Sequence, residues 1–361
     1  MKRREFIEKS GIAAGAAVLG GSALNPTGIQ AKPGRASRTS AKGKIKLGLY
    51  SITYQGIWYD GPALSFEELV KKAKDLGYDG VELDNKRPLG NPLDLNQKKR
   101  DEMRNVLAKY GMEIPCVADN NDFSSPIPEH RAAQLLMTRE TIKLARDLGA
   151  PYVRLFAAWT GVPLHEGQGT YDLVRGDAYT YQDQFPYTTW LERWRYAQDG
   201  LKEAAKFGEE YGIVLGLQNH APLLRNWKDC YDMVKQVDSP WLKVILDAPI
   251  LEKVDNKEYV ENAVRTVGNL QIHSHYGGEF ERDGKGKAKP KVYFDKFDKP
   301  LPDYAHFIGM MNEIGYNGYF TFELCHPVID DKYRPAGIGY VDEQAKMAQE
   351  FMREIINNPS L

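Results

Sequence analysis

The sequence has little cysteine, almost no net charge and no long hydrophobic run. Its 361 residues include only Cys116, Cys230 and Cys325, which lie far apart. An odd number at such spacings excludes a disulfide framework and a CxxC metal site. We therefore expect the three cysteines to be buried and to pack as small hydrophobic side chains. No apolar stretch reaches the roughly 18 residues of a membrane span. A hydrophobic fraction of 42% and a charged fraction of 27% are typical of a globular protein.

The net charge of −1 conceals an uneven distribution. Residues 1–44 contain nine Lys or Arg against two Glu, which gives this segment +7 and leaves about −8 for the remainder. An acidic body offers no basic surface for nucleic acid, so no nucleic-acid partner is expected. It suits a neutral or cationic ligand.

The N-terminus has the pattern of a targeting segment. The sequence KRREFIEK contains the pair Arg3 and Arg4, and a Gly/Ala-rich apolar stretch follows over residues 11–24. This stretch is too short and too weakly hydrophobic for a stable membrane anchor. The pattern resembles a twin-arginine export signal. We therefore expect a signal peptide over 1–31, a linker over 32–44, recognition by the twin-arginine export machinery, and a periplasmic or secreted protein.

The body repeats one unit, an amphipathic helix followed by a glycine turn and a short apolar strand. The glycines that end the helices are Gly77, Gly111, Gly149, Gly212 and Gly315. Three further strands are predicted over 45–51, 242–247 and 270–275. Eight strands, each followed by a helical segment, predict a single closed (β/α)8 TIM barrel over residues 45–361. A doubly wound open sheet is the alternative, and the lack of GxGxxG after the first strand counts against it.

Two long connections follow predicted strands, over 157–189 and 276–300. In a barrel both lie on the catalytic face, where long loops commonly form lids or substrate walls. An unconstrained surface insertion is the alternative. The first connection contains aromatic residues that could stack on a bound ligand or pack within the loop. They are Trp159, Tyr171, Tyr179 and Tyr181.

Polar residues cluster at the carboxyl ends of the predicted strands, where a barrel brings them together. They are Glu82, Arg154, Gln218, Asn219, His220, Asp247, His273, His275, Glu323 and His326. Asp, His and Glu on three successive strands are ligand types that suit Mn, Zn, Co or Fe. The His-x-His of IHSHYGG places both imidazoles on one face of a strand. A helix cap at Asp247, an ion pair at Glu323 and hydrogen-bonded core histidines are the structural alternatives.

The segments GYDGVEL, YGIVLGLQNH, VILDAP, IHSHYGG and GYFTFEL resemble the xylose isomerase-like TIM barrel superfamily of sugar (phosphate) isomerases and epimerases. The resemblance implies one divalent metal, Mn, Zn, Co or Fe, held at the ends of strands five to eight. The matching residues are Gln218, Asp247, His275 and Glu323. His275 is preferred to His273 because the second histidine of His-x-His is often the ligand in this superfamily.

Two departures from the superfamily pattern bear on the chemistry. Gln218 stands where a glutamate is common, and no histidine follows shortly after Asp247. The resemblance implies that the carboxylates on strands five and eight are the two acid/base groups of the epimerases. An amide can bind a metal through its oxygen but cannot exchange a proton, so symmetrical two-base epimerisation is not expected. A metal-free site is the alternative.

The remaining groups favour proton abstraction next to a carbonyl. Glu323 is the predicted base, with His220 and His273 as groups for the second proton transfer. The predicted substrate contacts are Glu82, Arg154, Trp159, Asn219 and His326, although Arg154 could instead pair with Glu82 as scaffolding.

We expect an exported sugar isomerase or epimerase acting on a small carbohydrate. Export argues against a phosphorylated substrate and favours a free sugar or keto-glycoside. A keto-sugar lyase or hydratase and a non-catalytic carbohydrate-binding barrel remain alternatives. An endonuclease of the same superfamily is disfavoured by the acidic body. The sugar, the metal and any homo-oligomer stay open.

Overall fold

A computed structural model describes residues 44–159, 161–162, 164–169, 187–291, 300–330 and 332–358. All of these residues belong to one compact unit. The predicted signal peptide over 1–31 and the predicted linker, apart from Lys44, lie outside the described residues. So do Tyr171, Tyr179 and Tyr181.

Eight parallel strands close into a barrel in which each strand pairs with its neighbours in sequence and β1 pairs with β8. The strands are β1 Lys46–Tyr50, β2 Gly80–Asp84, β3 Cys116–Ala118, β4 Tyr152–Leu155, β5 Val214–Gln218, β6 Leu242–Ile245, β7 Gln271–Gly277 and β8 Tyr319–Glu323. This confirms the predicted (β/α)8 barrel and excludes the open sheet.

In the described residues, one α-helix of ten residues or more follows each strand. The helices are α1 Phe66–Asp75, α2 Gln97–Tyr110, α3 Pro128–Leu148, α4 Trp190–Tyr211, α5 Trp227–Val237, α6 Lys257–Val267, α7 Tyr304–Glu313 and α8 Ile338–Asn357. All five glycines predicted to end helices have positive φ, between 60° and 85°. Ser65 and Thr189 begin α1 and α4 with capping boxes. Within the described ranges no helix is long and apolar enough to cross a membrane.

The ends of two strands differ from the prediction. The strand predicted over 242–247 ends at Ile245, so Asp247 lies two residues beyond β6. There its backbone N–H donates to the side-chain oxygen of Asn219 at 2.9 Å instead of to a neighbouring strand. The strand predicted to end at 275 continues to Gly277 because its last residues still pair with β8.

The described parts of both long connections are anchored to the barrel. Leu164–His165 and Gln168–Gly169 form a small hairpin, and the N–H of Gly169 donates to the carbonyl of Ile57 at 2.7 Å. Phe280–Arg282 and Ala288–Pro290 form a second hairpin beside α8, tied to it by the Arg282–Glu350 and Lys287–Glu354 ion pairs. Both hairpins follow strand ends, so they border the face where barrel sites lie.

Candidate functional site

Glu82 is the centre of a buried polar network inside the barrel. Its Oε1 accepts a hydrogen bond from Nε of Arg154 at 2.9 Å, and its Oε2 contacts Nε2 of His273 at 2.9 Å and Nε2 of His275 at 2.8 Å. A buried carboxylate is stable only with such partners. Burial alone would raise the pKa of Glu82, but His275, Arg154 and His273 hold it well below its usual range.

Arg154 also reaches Gln218 on β5. Its Nη1 donates to Oε1 of Gln218 at 2.9 Å, and Nε2 of Gln218 donates to Oδ2 of Asp247. The same Oδ2 lies 2.9 Å from Nδ1 of His275, whose backbone N–H donates to Oδ1 at 3.0 Å. We call these six residues the central network: Glu82, Arg154, Gln218, Asp247, His273 and His275.

The two histidines of β7 have different charges. Both ring nitrogens of His275 face carboxylates. Burial opposes its protonation, but Asp247 and Glu82 raise its pKa to about 10. His273 lies between Glu82 and the hydroxyl of Tyr152, 2.8 Å from its Nδ1, and burial lowers its pKa. His275 is therefore a cation and His273 is neutral, and the network has two negative and two positive groups.

The predicted metal ligands are only partly brought together. Gln218, Asp247 and His275 are in contact, but the amide presents an N–H, not a lone pair, to Asp247. Within the described ranges, one group of three or more His, Cys, Asp or Glu has ligand atoms within 4.8 Å of one another, and Glu323 is not part of it. The contacts therefore do not fit the expected four-ligand site.

That one group consists of Glu82, His273 and His275, all fully buried, and by ligand type and proximity it could hold a metal ion. Two imidazoles and one carboxylate form a common zinc set. Tyr152 and Asp247 contact the outer ring nitrogens of the two histidines, as partners of ligating imidazoles commonly do.

Glu323 ends β8 with a half-buried side chain. No hydrogen bond or ion pair engages its carboxylate from the described part of the chain, so the structural ion pair considered for it is not seen there. Burial raises its pKa, and the positive charges of His275 and Arg154 oppose that shift. Gly277 lies alongside, where a Cβ would be only 2.5 Å from the carbonyl oxygen of Glu323.

His220 lies at the mouth of the barrel beyond β5. Its ring packs against Trp159, at 4.6 Å between centroids, and against Phe156 at 5.1 Å. Its Nδ1 contacts the carbonyl oxygen of Ala221, and because a carbonyl can only accept, Nδ1 carries a proton.

Four other residues predicted for the site have structural contacts. Glu82 and Arg154 form the ion pair that was the alternative to substrate binding, and each is at most 3% exposed. Asn219 holds the backbone of Asp247. His326 lies 3.1 Å from the buried carboxylate of Glu279, outside the central network. No contact with substrate follows from these positions.

Residue-by-residue reasoning missed Tyr152 and Tyr50. Tyr152 contacts His273, and the ring of Tyr50 lies 4.8 Å from the guanidinium carbon of Arg154. Tyr152 precedes Arg154 by two residues on the same strand, and the period of two along a strand predicts that both face the interior. That spacing was the available signal.

Comparison with known proteins agrees with the barrel. A family model described as xylose isomerase-like TIM barrel matches residues 70–355. No curated protein sequence matches the chain. Three solved structures that resemble it are each below 25% identical, so their likeness concerns the fold.

A D-psicose 3-epimerase from Clostridium cellulolyticum H10, crystallised with D-tagatose, is 19% identical, with a TM-score of 0.62 over 86% of this chain and 99% of its own. The 3-keto-D-glucoside 4-epimerase YcjR from E. coli is 14% identical, with a TM-score of 0.58 over 86% and 100%. The IOLI protein with a bound zinc atom is 14% identical, with a TM-score of 0.58 over 87% and 98%. With more than half of its length matched by the family model, the chain belongs to the xylose isomerase-like TIM barrel family.

Proposed function

We propose that this protein is a sugar isomerase or epimerase-like enzyme that removes a proton next to the carbonyl of a non-phosphorylated sugar or keto-glycoside. The observation that carries the proposal is Glu323, a carboxylate with a raised pKa at the C-terminal end of a barrel strand. Active sites of TIM barrels lie at this face. Structural neighbours that are sugar epimerases support the substrate class.

The environment of Glu323 suits a general base. A raised pKa brings a carboxylate closer to neutral pH, where it accepts a proton more effectively. His275 and Arg154 are near enough to lower that pKa, so they also favour negative charge developing on a bound substrate. The substrate C–H proton passes to Glu323, and the electron pair of the C–H bond moves towards the carbonyl oxygen.

The second proton transfer needs a different group from the one the family pattern implies, because the amide of Gln218 cannot exchange a proton. We assign it to His220, an imidazole just beyond the end of β5 whose ring packs against Trp159 at the mouth of the barrel. His273 is a poorer choice because both of its nitrogens contact Glu82 or Tyr152 in the closed interior. Neither proton transfer is assigned to a metal ion, because Gln218, Asp247, His275 and Glu323 do not form the expected four-ligand arrangement.

A keto-sugar lyase or hydratase is the second candidate, and the amide at Gln218 favours it. Elimination needs one base at carbon and an acid for the leaving group, whereas epimerisation needs groups on both faces of the carbon. Analysis of the products by NMR separates the two, since elimination releases the substituent and epimerisation retains it.

We also propose that the protein is exported and acts outside the cytoplasm. The pair Arg3 and Arg4 with the following apolar stretch supports a twin-arginine signal. Free sugars and keto-glycosides suit that location and the acidic body. The partners are then the export machinery and a small carbohydrate.

The test is turnover of free sugars and keto-glycosides by the mature protein and by Glu323→Gln. We expect the variant to lose about 10²-fold or more of kcat with its circular dichroism spectrum unchanged. Glu281→Gln is the control, because Glu281 is half-exposed on the hairpin after β7. Full activity of Glu323→Gln refutes the assignment of the base. Sugar binding without turnover in the unmutated protein indicates a carbohydrate-binding barrel instead.

A further inference from the structure

The amide of Gln218 links the two sides of the central network. We propose that this link, from Arg154 through Gln218 to Asp247, closes the strand-five metal position of the family to divalent cations. The proposal rests on the proposed function only in that both concern the same site at the strand ends. Its test does not require turnover.

The neighbours of Gln218 dictate the orientation of its amide. The guanidinium of Arg154 can only donate, so the oxygen of the amide must face Nη1, 2.9 Å away. The NH2 group then faces the carboxylate of Asp247, which can only accept. Turning the amide so that its oxygen could bind a metal beside Asp247 would set two donors against each other at Arg154.

Both carboxylate oxygens of Asp247 already accept hydrogen bonds. Its Oδ2 contacts both Nε2 of Gln218 and Nδ1 of His275, and its Oδ1 accepts the backbone N–H of His275. A cation bound by Oδ2 would have to displace the hydrogen bonds from the side chains of Gln218 and His275. It would also approach Arg154, a fixed positive charge that is 3% exposed and paired with Glu82.

A glutamate at position 218 would reverse this situation. One carboxylate oxygen could still accept from Arg154, but the other would face Asp247, and two carboxylates in contact need a shared proton or a cation between them. The replacement of one oxygen by an NH2 group therefore decides whether the position attracts a divalent cation. In this chain the NH2 group of Gln218 supplies a hydrogen-bond donor to Asp247 where a cation would otherwise lie.

The experiment measures metal binding by the mature protein, not activity. Metal-stripped protein is titrated calorimetrically with Mn²⁺ and with Zn²⁺, and its thermal midpoint is recorded in chelator and in each metal. Gln218→Met removes the amide at similar length, and Gln218→Glu restores the carboxylate. Asn219→Asp is the control, since it adds the same charge one residue away.

We expect the unmutated protein either to bind no metal or to bind it with an affinity that Gln218→Met does not change. Binding that does not depend on residue 218 belongs to another ligand set, such as Glu82, His273 and His275. Gln218→Glu should bind metal about tenfold or more tightly than the unmutated protein, with a midpoint lowered in chelator and restored by metal.

Three results would overturn the proposal. One is binding of one equivalent by the unmutated protein that weakens about tenfold or more in Gln218→Met. Another is a Gln218→Glu variant that folds but gains no affinity, and the third is an equal gain in Asn219→Asp. Loss of activity in Glu323→Gln is measured separately, so failure of the proposed function is distinguishable from failure of this proposal.

Discussion

Replacing Arg154 by methionine tests whether the central network stabilises the barrel. Methionine has a similar length and no charge, so the change removes the partner of Glu82 and the donor to Gln218 with little loss of volume. Glu82 then keeps only its contacts with His273 and His275.

The expected cost follows from burial. Both Arg154 and Glu82 are at most 3% exposed. Removing one partner of a buried ion pair typically costs about 3–5 kcal/mol, and the low end applies here because Glu82 keeps its contact with His275. An acceptor on Gln218 that loses its donor adds about 1 kcal/mol. We expect Arg154→Met to lower the free energy of unfolding by about 4 kcal/mol, and Arg154→Lys, which keeps the charge but not the two-sided contact, by about half as much.

Urea unfolding of the mature protein, followed by tryptophan fluorescence and by circular dichroism, measures this difference. Arg265→Met is the matched control, because Arg265 pairs with Glu261 and Glu313 while its own side chain is 52% exposed. Such exposed pairs contribute about 1 kcal/mol or less. If Arg154→Met unfolds at the same urea concentration as Arg265→Met, the network does not stabilise the fold as argued.

Three further predictions follow. Burial raises the pKa of Asp119 to about 7, so its contribution to stability is full below about pH 4 and is lost as the pH rises to about 7, in total about 4 kcal/mol. The difference in unfolding free energy between the unmutated protein and Asp119→Asn should change across that range, and a constant difference contradicts it. Gly216→Ala places a Cβ 2.6 Å from the side chain of Ile245 and should cost about 1–3 kcal/mol in urea unfolding. Gly309→Ala, with nothing within 4 Å, should be stabilising by about 0.5–1 kcal/mol; equal effects would refute this account. Replacing both Arg3 and Arg4 by lysine should retain the protein in the cytoplasm on cell fractionation, and normal export of that variant argues against the twin-arginine route.

The barrel was predictable because the signals that end its helices and begin its strands are local in the sequence. Each helix-ending glycine needs a positive φ, and a β-branched or aromatic strand follows it, so five of the units could be recognised without tertiary information. Period-two spacing likewise predicted that His273 and His275 share one face, and their ring centroids lie 4.7 Å apart. The end of β6 was harder to predict, because the backbone N–H of Asp247 donates to the side-chain oxygen of Asn219.

The partners within the site were harder to predict because they come from distant strands. The resemblance suggested that Gln218, Asp247, His275 and Glu323 form one ligand set, whereas Gln218 bonds to Arg154 and Glu323 is not in the cluster. Hydrogen-bond direction decides this, since an amide must show its NH2 to an acceptor and its oxygen to a donor. The sequence showed that Gln218 is an amide, but it did not show that Arg154 orients that amide.

The central network also couples the site to completion of the barrel. Glu82 is on the second strand, and the two histidines that contact it are on the seventh, 191 and 193 residues later. A half-barrel ending after β4 contains the residues of the Glu82–Arg154 pair but not the histidines, Gln218 or Asp247. Ring closure and assembly of the site are thus one event in this chain. A fragment that stops short of β7 would lack both histidines, so Arg154 would be the one positive group of the central network left to balance the buried carboxylates.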